Sequence, residues 1–479
     1  MNKITSQLKK YIYHGLVYGF GSVFDSIVGF MVLPLYTLHF SLEEYGIFSF
    51  LILISTFASS VFYLGASSAL TRSYFDYDDI EERKKVATTS LYITLFGAIM
   101  QILFGLIFCE DLSVLLFKTT IYKNHILLIL ISSALLFVNQ FFYLLLRLRL
   151  KSLQIVSVSI VSSSIFLLSL LILLVQYDYG VLSPIISFIF SYSVSTIILI
   201  FLCKNYFSLY PKNSEFAIQL AFGLPQIVGG FSYYAIDWID RFFINEYLSL
   251  GDVGVYSFGY KISMMIHMLF IIPFAKVWAT IRSEYLNKSI DELSSKVLTY
   301  YYLVGSIVAL FVIIFINEFF SIFSRNADYN SAQNIVPLII FAHLFWGMIN
   351  IIDLGIFKKR KQMKKVLILL VHIPINIFLN FILVPKFGYY GAAIATLITY
   401  SSLIACTNYV ANKLFKVDYE KLNLFVISVV SFLTIFVSIY VIDNSQLFSI
   451  NKFLIFTLLL VFYWYYFKAD IKKYLNGNK

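Results

Sequence analysis

Charge is what this 479-residue sequence lacks most: 13% of its residues are Asp, Glu, Lys or Arg, and 60% are hydrophobic. A soluble surface needs roughly a quarter of its residues charged. The deficit excludes a string of soluble domains, a disordered chain and a soluble dinucleotide-binding enzyme. Cysteine is also scarce. Cys109, Cys203 and Cys406 share no CxxC or Cys/His spacing, which excludes a disulfide scaffold and leaves them as small apolar residues. No P-loop occurs. No segment between apolar runs exceeds about 20 residues, too few for a soluble catalytic domain.

What is present is one apolar run after another, with a mean hydropathy of +0.83. A helix crosses a bilayer with about 20 apolar residues. Such segments fall at 13–39, 45–69, 86–108, 125–146, 153–175, 181–203, 216–247, 252–280, 297–320, 333–357, 366–384, 390–412, 422–442 and 453–467. Runs such as Ile126–Leu136 do not alternate in polarity, so they are not barrel strands. Backbone groups in hydrocarbon must be satisfied within each segment. The expected fold class is an all-α polytopic membrane protein with about 14 transmembrane helices.

With the N-terminus placed in the cytoplasm, the inner segments carry 28 Lys and Arg. The outer ones carry 5, namely Lys118, Lys123, Arg325, Lys386 and Lys452, and Arg241, Lys261 and Lys276 lie inside spans. This asymmetry obeys the positive-inside rule, and one miscounted helix would destroy it. Both termini are therefore expected in the cytoplasm. The net charge of +10 then reflects topology and anionic lipid, not nucleic acid. The cluster Lys358-Lys359-Arg360-Lys361, with Lys364 and Lys365, reads as an inner-face anchor. The first apolar run is too long for a signal-peptide core and reads as a retained anchor.

The chain also repeats itself. His39–Phe50 (HFSLEEYGIFSF) and Tyr247–Phe258 (YLSLGDVGVYSF) share Ser, Leu, Gly, Ser and Phe at an offset of 208. Asn139, Arg147, Arg149 and Gly180 match Asn350, Lys358, Arg360 and Gly391 at an offset of 211. Spans 1–6 thus read as a copy of spans 7–12. The expected organisation is two parallel pseudo-symmetric six-helix lobes at 1–207 and 208–418, with 419–479 adding two helices and a cytoplasmic tail. Parallel repeats related by an axis along the membrane normal hold midplane sites and rock about them, which points to transport.

Ionisable groups inside a bilayer are costly, so they face a cavity or a partner. Asp25 lies in span 1, and Asp237, Asp240 and Arg241 lie in its repeat mate, span 7. Lys261 sits roughly 15 Å deep in span 8, and Asp353 lies near the inner end of span 10. Arg241 and Lys261 are expected to bind an anion in a polar cavity between the lobes. Asp25, Asp237 and Asp240 are the candidate carboxylates for ion coupling. Asp237 and Arg241, four residues apart, also fit a structural pair. Lys276 reads as snorkelling, and His14, His267, His343 and His372 as structural hydrogen-bonding groups. Pro34 and Pro225, in paired spans, are candidate hinges together with Gly229 and Gly230. Asp76-Tyr77-Asp78-Asp79 contains a DxD pattern, but the basic residues around it suit a solvated loop. Ser162-Ser163-Ser164 suits small-residue helix packing. No metal or cofactor site is expected.

Three stretches carry a family resemblance. They are Gly19–Phe50 (GFGSVFDSIVGFMVLPLYTLHFSLEEYGIFSF), Leu224–Ile262 with DWIDRFFINEYLSLGDVGVYSFGYKI, and Lys364–Tyr400 with PINIFLNFILVPKFGYYGAAIATLITY. In order, over most of residues 1–412, they resemble the bacterial polysaccharide biosynthesis, or Wzx-type, flippases. That family lies in the multidrug/oligosaccharidyl-lipid/polysaccharide exporter superfamily. The resemblance implies a carrier rather than an enzyme, moving an undecaprenyl-pyrophosphate-linked oligosaccharide (O-antigen or a related surface polysaccharide) from the cytoplasmic to the periplasmic leaflet of a bacterial inner membrane. It implies alternating access driven by a proton or sodium gradient. Membrane lipids, a polysaccharide polymerase and a chain-length regulator are the implied partners. Arg and Lys suit a pyrophosphate. The first half has fewer in-span cations than some relatives, and the last two helices exceed the twelve-helix pattern common in the superfamily, which also has fourteen-helix members. Three rivals stand beside this reading, one of them a structural membrane scaffold, in which the buried charges would have no substrate-dependent effect. A drug or organic-cation antiporter of the same superfamily would depend on acidic cavity residues. A membrane-embedded polymerase would need a large outer loop, which the sequence does not offer.

Overall fold

The computed structural model describes residues 24–286, 290–437 and 448–476, with Val17 and Gly21. The side chains of Pro225, Gln226, Val228, Gly229, Tyr233, Asp237, 448–450 and 469–476 lie outside the described set, as does all of His14. Every regular element among the described residues is helical. In chain order they are α1 (Phe24–His39), α2 (Leu42–Phe62), α3 (Ala66–Ser73), α4 (Ile80–Phe117), α5 (Lys123–Leu148), α6 (Ser152–Gln176) and α7 (Leu182–Tyr206). They continue with α8 (Asn213–Tyr247), α9 (Leu250–Glu284), α10 (Ile290–Ile314), α11 (Ile316–Phe323) and α12 (Ala327–Lys358). The last are α13 (Gln362–Phe387), α14 (Tyr389–Leu414), α15 (Lys421–Val437) and α16 (Phe448–Asn476). Each apolar segment expected from the sequence overlaps one of these helices. Ten of the described helices are long and apolar enough to cross a membrane, and α1 and α15 are shorter apolar helices. The chain is thus an all-α polytopic membrane protein. The full count of fourteen crossings stays a proposal.

Local chemistry sets the helix ends. Ser41 opens α2 with a capping box: its Oγ accepts from Glu44 N at 3.2 Å, and its N donates to Glu44 Oε2 at 2.9 Å. Ser249 caps α9, its Oγ accepting from Asp252 N at 3.1 Å and donating to Asp252 Oδ2. These caps each satisfy helix-terminal donors that would otherwise be orphaned. Asp79, the last residue of the DxD loop, caps α4 through Glu82 N at 3.4 Å. The helix breaks also have causes. The α1 run is interrupted at Val32, just before Pro34, which cannot donate to the carbonyl four residues back. Between α2 and α3, Leu64 and Gly65 take φ of 52° and 64°. There a Cβ on Gly65 would stand 2.4 Å from Gly223 O, so α8 touches this corner backbone to backbone. A π-turn at His267–Ile271 interrupts α9 just ahead of Pro273.

By contact the chain forms two compact units, Met1–Ser257 with Phe323–Tyr329, and Phe258–Ile322 with Asn330–Lys479. In the first, α4 packs on α5, α5 on α7, and α7 on α6. Its core includes Leu70, Val86, Phe137, Phe141, Leu145 and Leu199. Residues 323–329 belong to it because Thr37 Oγ1 donates to Phe323 O at 3.1 Å and Tyr329 Oη donates to Phe40 O at 3.1 Å. In the second unit the order recurs: α10 packs on α12, α12 on α14, and α14 on α13. The last two helices cover α10, with Phe311 and Phe456 ring centroids 5.4 Å apart and Tyr302 Oη 3.0 Å from Ser428 Oγ. Lys452, expected in an outer loop, is 1% exposed, and its Nζ donates to both Glu318 carboxylate oxygens at 2.9 Å. Helix α16 starts earlier than the apolar run, and the ion pair with Glu318 offsets part of the cost of burying the ammonium.

Contact and descent divide the chain differently. Helix α8 and the first turns of α9 sit in the first unit, whereas the repeat assigns them to the second half. The lobe boundaries at 207/208 and 418/419 are a proposal about descent.

Each unit pins a connecting segment onto a long helix, the one after α7 onto α4 in the first unit and the one after α14 onto α10 in the second. In the first, Ser208 N and Lys212 N donate to the Thr88 and Thr89 hydroxyls at 3.0 and 2.9 Å, and Lys212 Nζ meets Glu82 Oε2 at 2.6 Å. The hydrogen bond to Glu82 holds the Lys212 ammonium above its ordinary pKa. In the second, Ser295 Oγ donates to Asp418 O at 2.8 Å, Thr299 Oγ1 to Glu420 Oε2 at 2.8 Å, and Lys296 pairs with Glu420. Burial pushes the Glu420 carboxyl up, but hydrogen bonds from Lys296, Asn423 and Thr299 outweigh it and hold the group below its ordinary value.

Candidate functional site

The repeated segment builds the first candidate site. Its two copies cross at their glycines. A Cβ on Gly46 would stand 2.0 Å from Leu250 O, and one on Gly254 would stand 1.9 Å from Leu42 O. Both pairs are repeat mates, so the contact is related to itself by a two-fold operation. Ser49 and Ser257, also mates, meet in the same crossing with Oγ atoms 2.6 Å apart.

Arg241 reaches this crossing from α8. Its Nε donates to Ser257 Oγ at 3.0 Å and to Ser49 Oγ at 3.2 Å, and its guanidinium lies 5.6 Å from the Tyr256 ring centroid. Tyr256 Oη donates to Asp240 Oδ2 at 2.7 Å. Asp240 is 1% exposed and Arg241 5%. In this conformation Arg241 ties two helices together through hydroxyls rather than standing open to a ligand. The partner offered by helical spacing, Asp237, has a side chain outside the described set. The hydroxyl partners lie 192 and 16 residues away, beyond what spacing along one helix can show. The available signal was the identity of the two serines in both copies.

Asp25 forms a second, separate site. It is exposed, and its Oδ2 and Oδ1 accept from Ser159 Oγ at 2.6 Å and Ser163 Oγ at 2.7 Å. The four-residue spacing puts both serines on one face of α6. Ser162 instead faces α7, where its Oγ lies 2.8 Å from Ser191 Oγ. The serine triplet therefore packs helices and also holds a carboxylate, a role that packing alone did not suggest.

Lys261, on α9, is partly exposed and makes no hydrogen bond or ion pair among the described residues. Its neighbour Tyr260 stacks edge-on against His343 at 5.0 Å, and His343 lies 5.6 Å from His267. Asp353 is 3% exposed and fully engaged, with Arg282 Nη1 at 2.7 Å and Lys365 Nζ at 2.8 Å. Arg282 and Trp278 also donate to Asn350 O at 3.1 and 2.9 Å. Lys276 is exposed, and His372 Nδ1 lies 2.7 Å from Ile368 O.

Of the candidate hinges, Pro34 coincides with the interruption of α1. The backbone of α8 is helical through Pro225 and Gly229, whose side chains lie outside the described set. A Cβ on Gly230 would make an ordinary 3.8 Å contact with Ser60. Among the described residues, no three His, Cys, Asp or Glu side chains gather to hold a metal ion.

Comparison with known proteins adds descent to this geometry. A family model described as polysaccharide biosynthesis protein matches residues 9–285, more than half of the chain. No curated protein matches it. The chain is similar in fold to a lipid II flippase, MurJ, in an inward closed conformation, with a TM-score of 0.75 and 18% identity over 95% of this chain and 100% of that one. It is similar to an inward-facing multidrug resistance MATE family transporter of the MOP superfamily, with a TM-score of 0.67 and 13% identity over 84% and 95%. A MOP superfamily transporter from Pyrococcus furiosus, reported with a reversed polarity of its binding pocket, gives 0.63 and 13% over 88% and 96%. The fold is thus shared along nearly the whole length, and by its sequence the chain belongs to the polysaccharide biosynthesis protein family.

Proposed function

We propose that the protein is a flippase that carries undecaprenyl-pyrophosphate-linked oligosaccharide units, O-antigen or a related surface polysaccharide, across the bacterial inner membrane. The observation that carries this reading is membership of a polysaccharide biosynthesis family joined to a full-length likeness to a lipid II flippase. Both termini face the cytoplasm, as the basic residues require. Transport proceeds by alternating access of the two lobes, coupled to a proton or sodium gradient. Lys261 binds the pyrophosphate, because an ammonium without a protein partner is available to a phosphate oxygen. Arg241 joins it only when the Ser49–Ser257 contact opens. Asp25, Asp237 and Asp240 are the proposed ion-coupling carboxylates, and a polysaccharide polymerase and chain-length regulator are the proposed downstream partners. The test is deletion of the gene followed by assay of the lipid-linked glycan on each leaflet. Accumulation on the cytoplasmic leaflet is the expected result, and undiminished export would overturn the reading.

A second reading, an organic-cation antiporter, draws on the exposed Asp25 carboxylate and the likeness to MATE folds. Asp25→Asn should then abolish transport while Lys261→Gln spares it. The flippase reading expects glycan export to fail in Lys261→Gln.

A further inference from the structure

The turn joining α12 to α13 has an internal control in the turn joining α5 to α6. Leu150 and Arg360 both take positive φ, 57° and 55°. Leu150 N bonds Arg147 O, as Arg360 N bonds Phe357 O, each at 3.0 Å. Lys151 N bonds Leu146 O at 3.0 Å, as Lys361 N bonds Ile356 O at 2.9 Å. The turns therefore superpose at an offset of 210, one less than the 211 that aligns Asn139 with Asn350. The break of α12 at Asp353, without a counterpart in α5, lies between the two registers. Behind each turn a cation rests over a ring: Arg149 is 4.0 Å from the Tyr206 centroid, and Lys358 is 3.8 Å from that of Phe415.

One backbone is thus built twice with very different charge. The first turn carries Arg147, Arg149 and Lys151. The second carries Lys358, Lys359, Arg360, Lys361, Lys364 and Lys365. Neither the turn nor membrane orientation needs the excess, since three cations suffice in the first. Lys365 is paired with Asp353, which it shares with Arg282. Lys359, Arg360, Lys361 and Lys364 are exposed and make no side-chain hydrogen bond or ion pair among the described residues. Lys358 is held by an aromatic face, which positions a cation without cancelling its charge. Met363 and Leu367, four residues apart on one face of α13, are exposed beside them. Unpaired cations above exposed apolar side chains match an anionic membrane surface, with phosphates outside and acyl chains beneath.

We propose that the α12–α13 turn is a binding surface for the phosphate headgroups of anionic phospholipid in the inner leaflet. The inference rests on the membrane placement and not on the transported substrate, so it fails or stands separately from the flippase reading. The test uses the full-length protein in detergent, with thermal unfolding followed as phosphatidylglycerol or phosphatidylcholine is added. Phosphatidylglycerol should raise the melting temperature, and phosphatidylcholine should not. Lys359→Gln/Arg360→Gln/Lys361→Gln/Lys364→Gln should lose the shift, with apparent affinity falling about fivefold per cation removed. Lys359→Arg/Lys361→Arg/Lys364→Arg should keep it, which separates lost charge from a damaged turn. Arg147→Gln/Lys151→Gln in the control turn should also keep it. Retention of the shift by the glutamine variant, an equal shift with phosphatidylcholine, or an equal loss in the control turn would overturn the proposal. So would the same shift from inorganic pyrophosphate alone, which would assign the surface to a substrate phosphate.

Discussion

The two copies of the twelve-residue segment at the starts of α2 and α9 agree in backbone and disagree in charge. Both open on a serine cap, both press a glycine onto the other's leucine carbonyl, and their second serines bond each other. At Phe48 of the first copy the neighbours are aromatic rings, those of Tyr36, Phe40 and Tyr45. Around the second, its mate Tyr256 donates to Asp240 and lies near Arg241. At the same offset the mates of Asp240 and Arg241 are Val32 and Leu33. A fold that needs the glycines and serines twice needs the charges once at most. Charge on one side only therefore points to function, or to a switch between conformations, more than to packing.

Changing the shared part should do the most damage. Gly46→Val or Gly254→Val puts a side chain where a carbonyl oxygen sits within about 2 Å. The cost should exceed about 3 kcal/mol, the upper end for overpacking, and appear as lost yield and a lowered melting temperature. Gly251→Ala is the sharpening control. Its Cβ would meet nothing nearer than 3.6 Å, so its effect should stay within about 1 kcal/mol.

The unshared part should divide by role. Lys261→Gln should leave thermal stability unchanged and cut glycan export at least tenfold, the equivalent of about 1.4 kcal/mol of head-group interaction. Unchanged export would remove Lys261 from the site. Arg241→Lys keeps the charge and loses the Nε–H that serves both serines. It should cost about 1–3 kcal/mol of stability, read by thermal unfolding. A stable variant with lost export would instead make Arg241 a ligand-binding group.

Ser49→Ala and Ser257→Ala should each cost about 1 kcal/mol, and the double variant less than the sum because the two share one bond. Strict additivity in a double-mutant cycle would show that the hydroxyls act independently.

The smallest effect concerns the two clamps. Glu420 titrates below its ordinary carboxylate value when folded. Its contribution to stability is therefore complete above about pH 4.3 and is lost as pH falls through the depressed folded value. Hydrogen exchange in residues 415–420 should rise in that acid window, and Glu420→Gln should remove the dependence.

Much of this fold was legible in the sequence, for definite reasons. Apolar runs of bilayer length, separated by basic clusters, leave the backbone one way to satisfy its hydrogen bonds, so every expected segment overlaps a helix. The match between His39–Phe50 and Tyr247–Phe258 also marked a crossing of two helices of the first unit at their glycines. The candidate site was read less completely. Spacing along α8 offers Arg241 a partner in Asp237, whose side chain lies outside the described set, and periodicity shows only neighbours on one helix. Its hydroxyl partners come from two other helices. Asp25 was singled out, but not the serines that hold it.

Composition, run length and the distribution of Lys and Arg thus determined the solvent, the helical class and the expected orientation, since those follow from the energy of each segment by itself. Only tertiary structure decided which charges have partners. It gave Lys452 to Glu318 and Asp353 to Arg282 and Lys365, turned Arg241 onto two serines, and left Lys261 without a partner among the described residues. The physical reason is range: hydropathy sums along the chain, whereas an ion pair or hydrogen bond forms within about 3 Å between helices whose packing no single segment encodes.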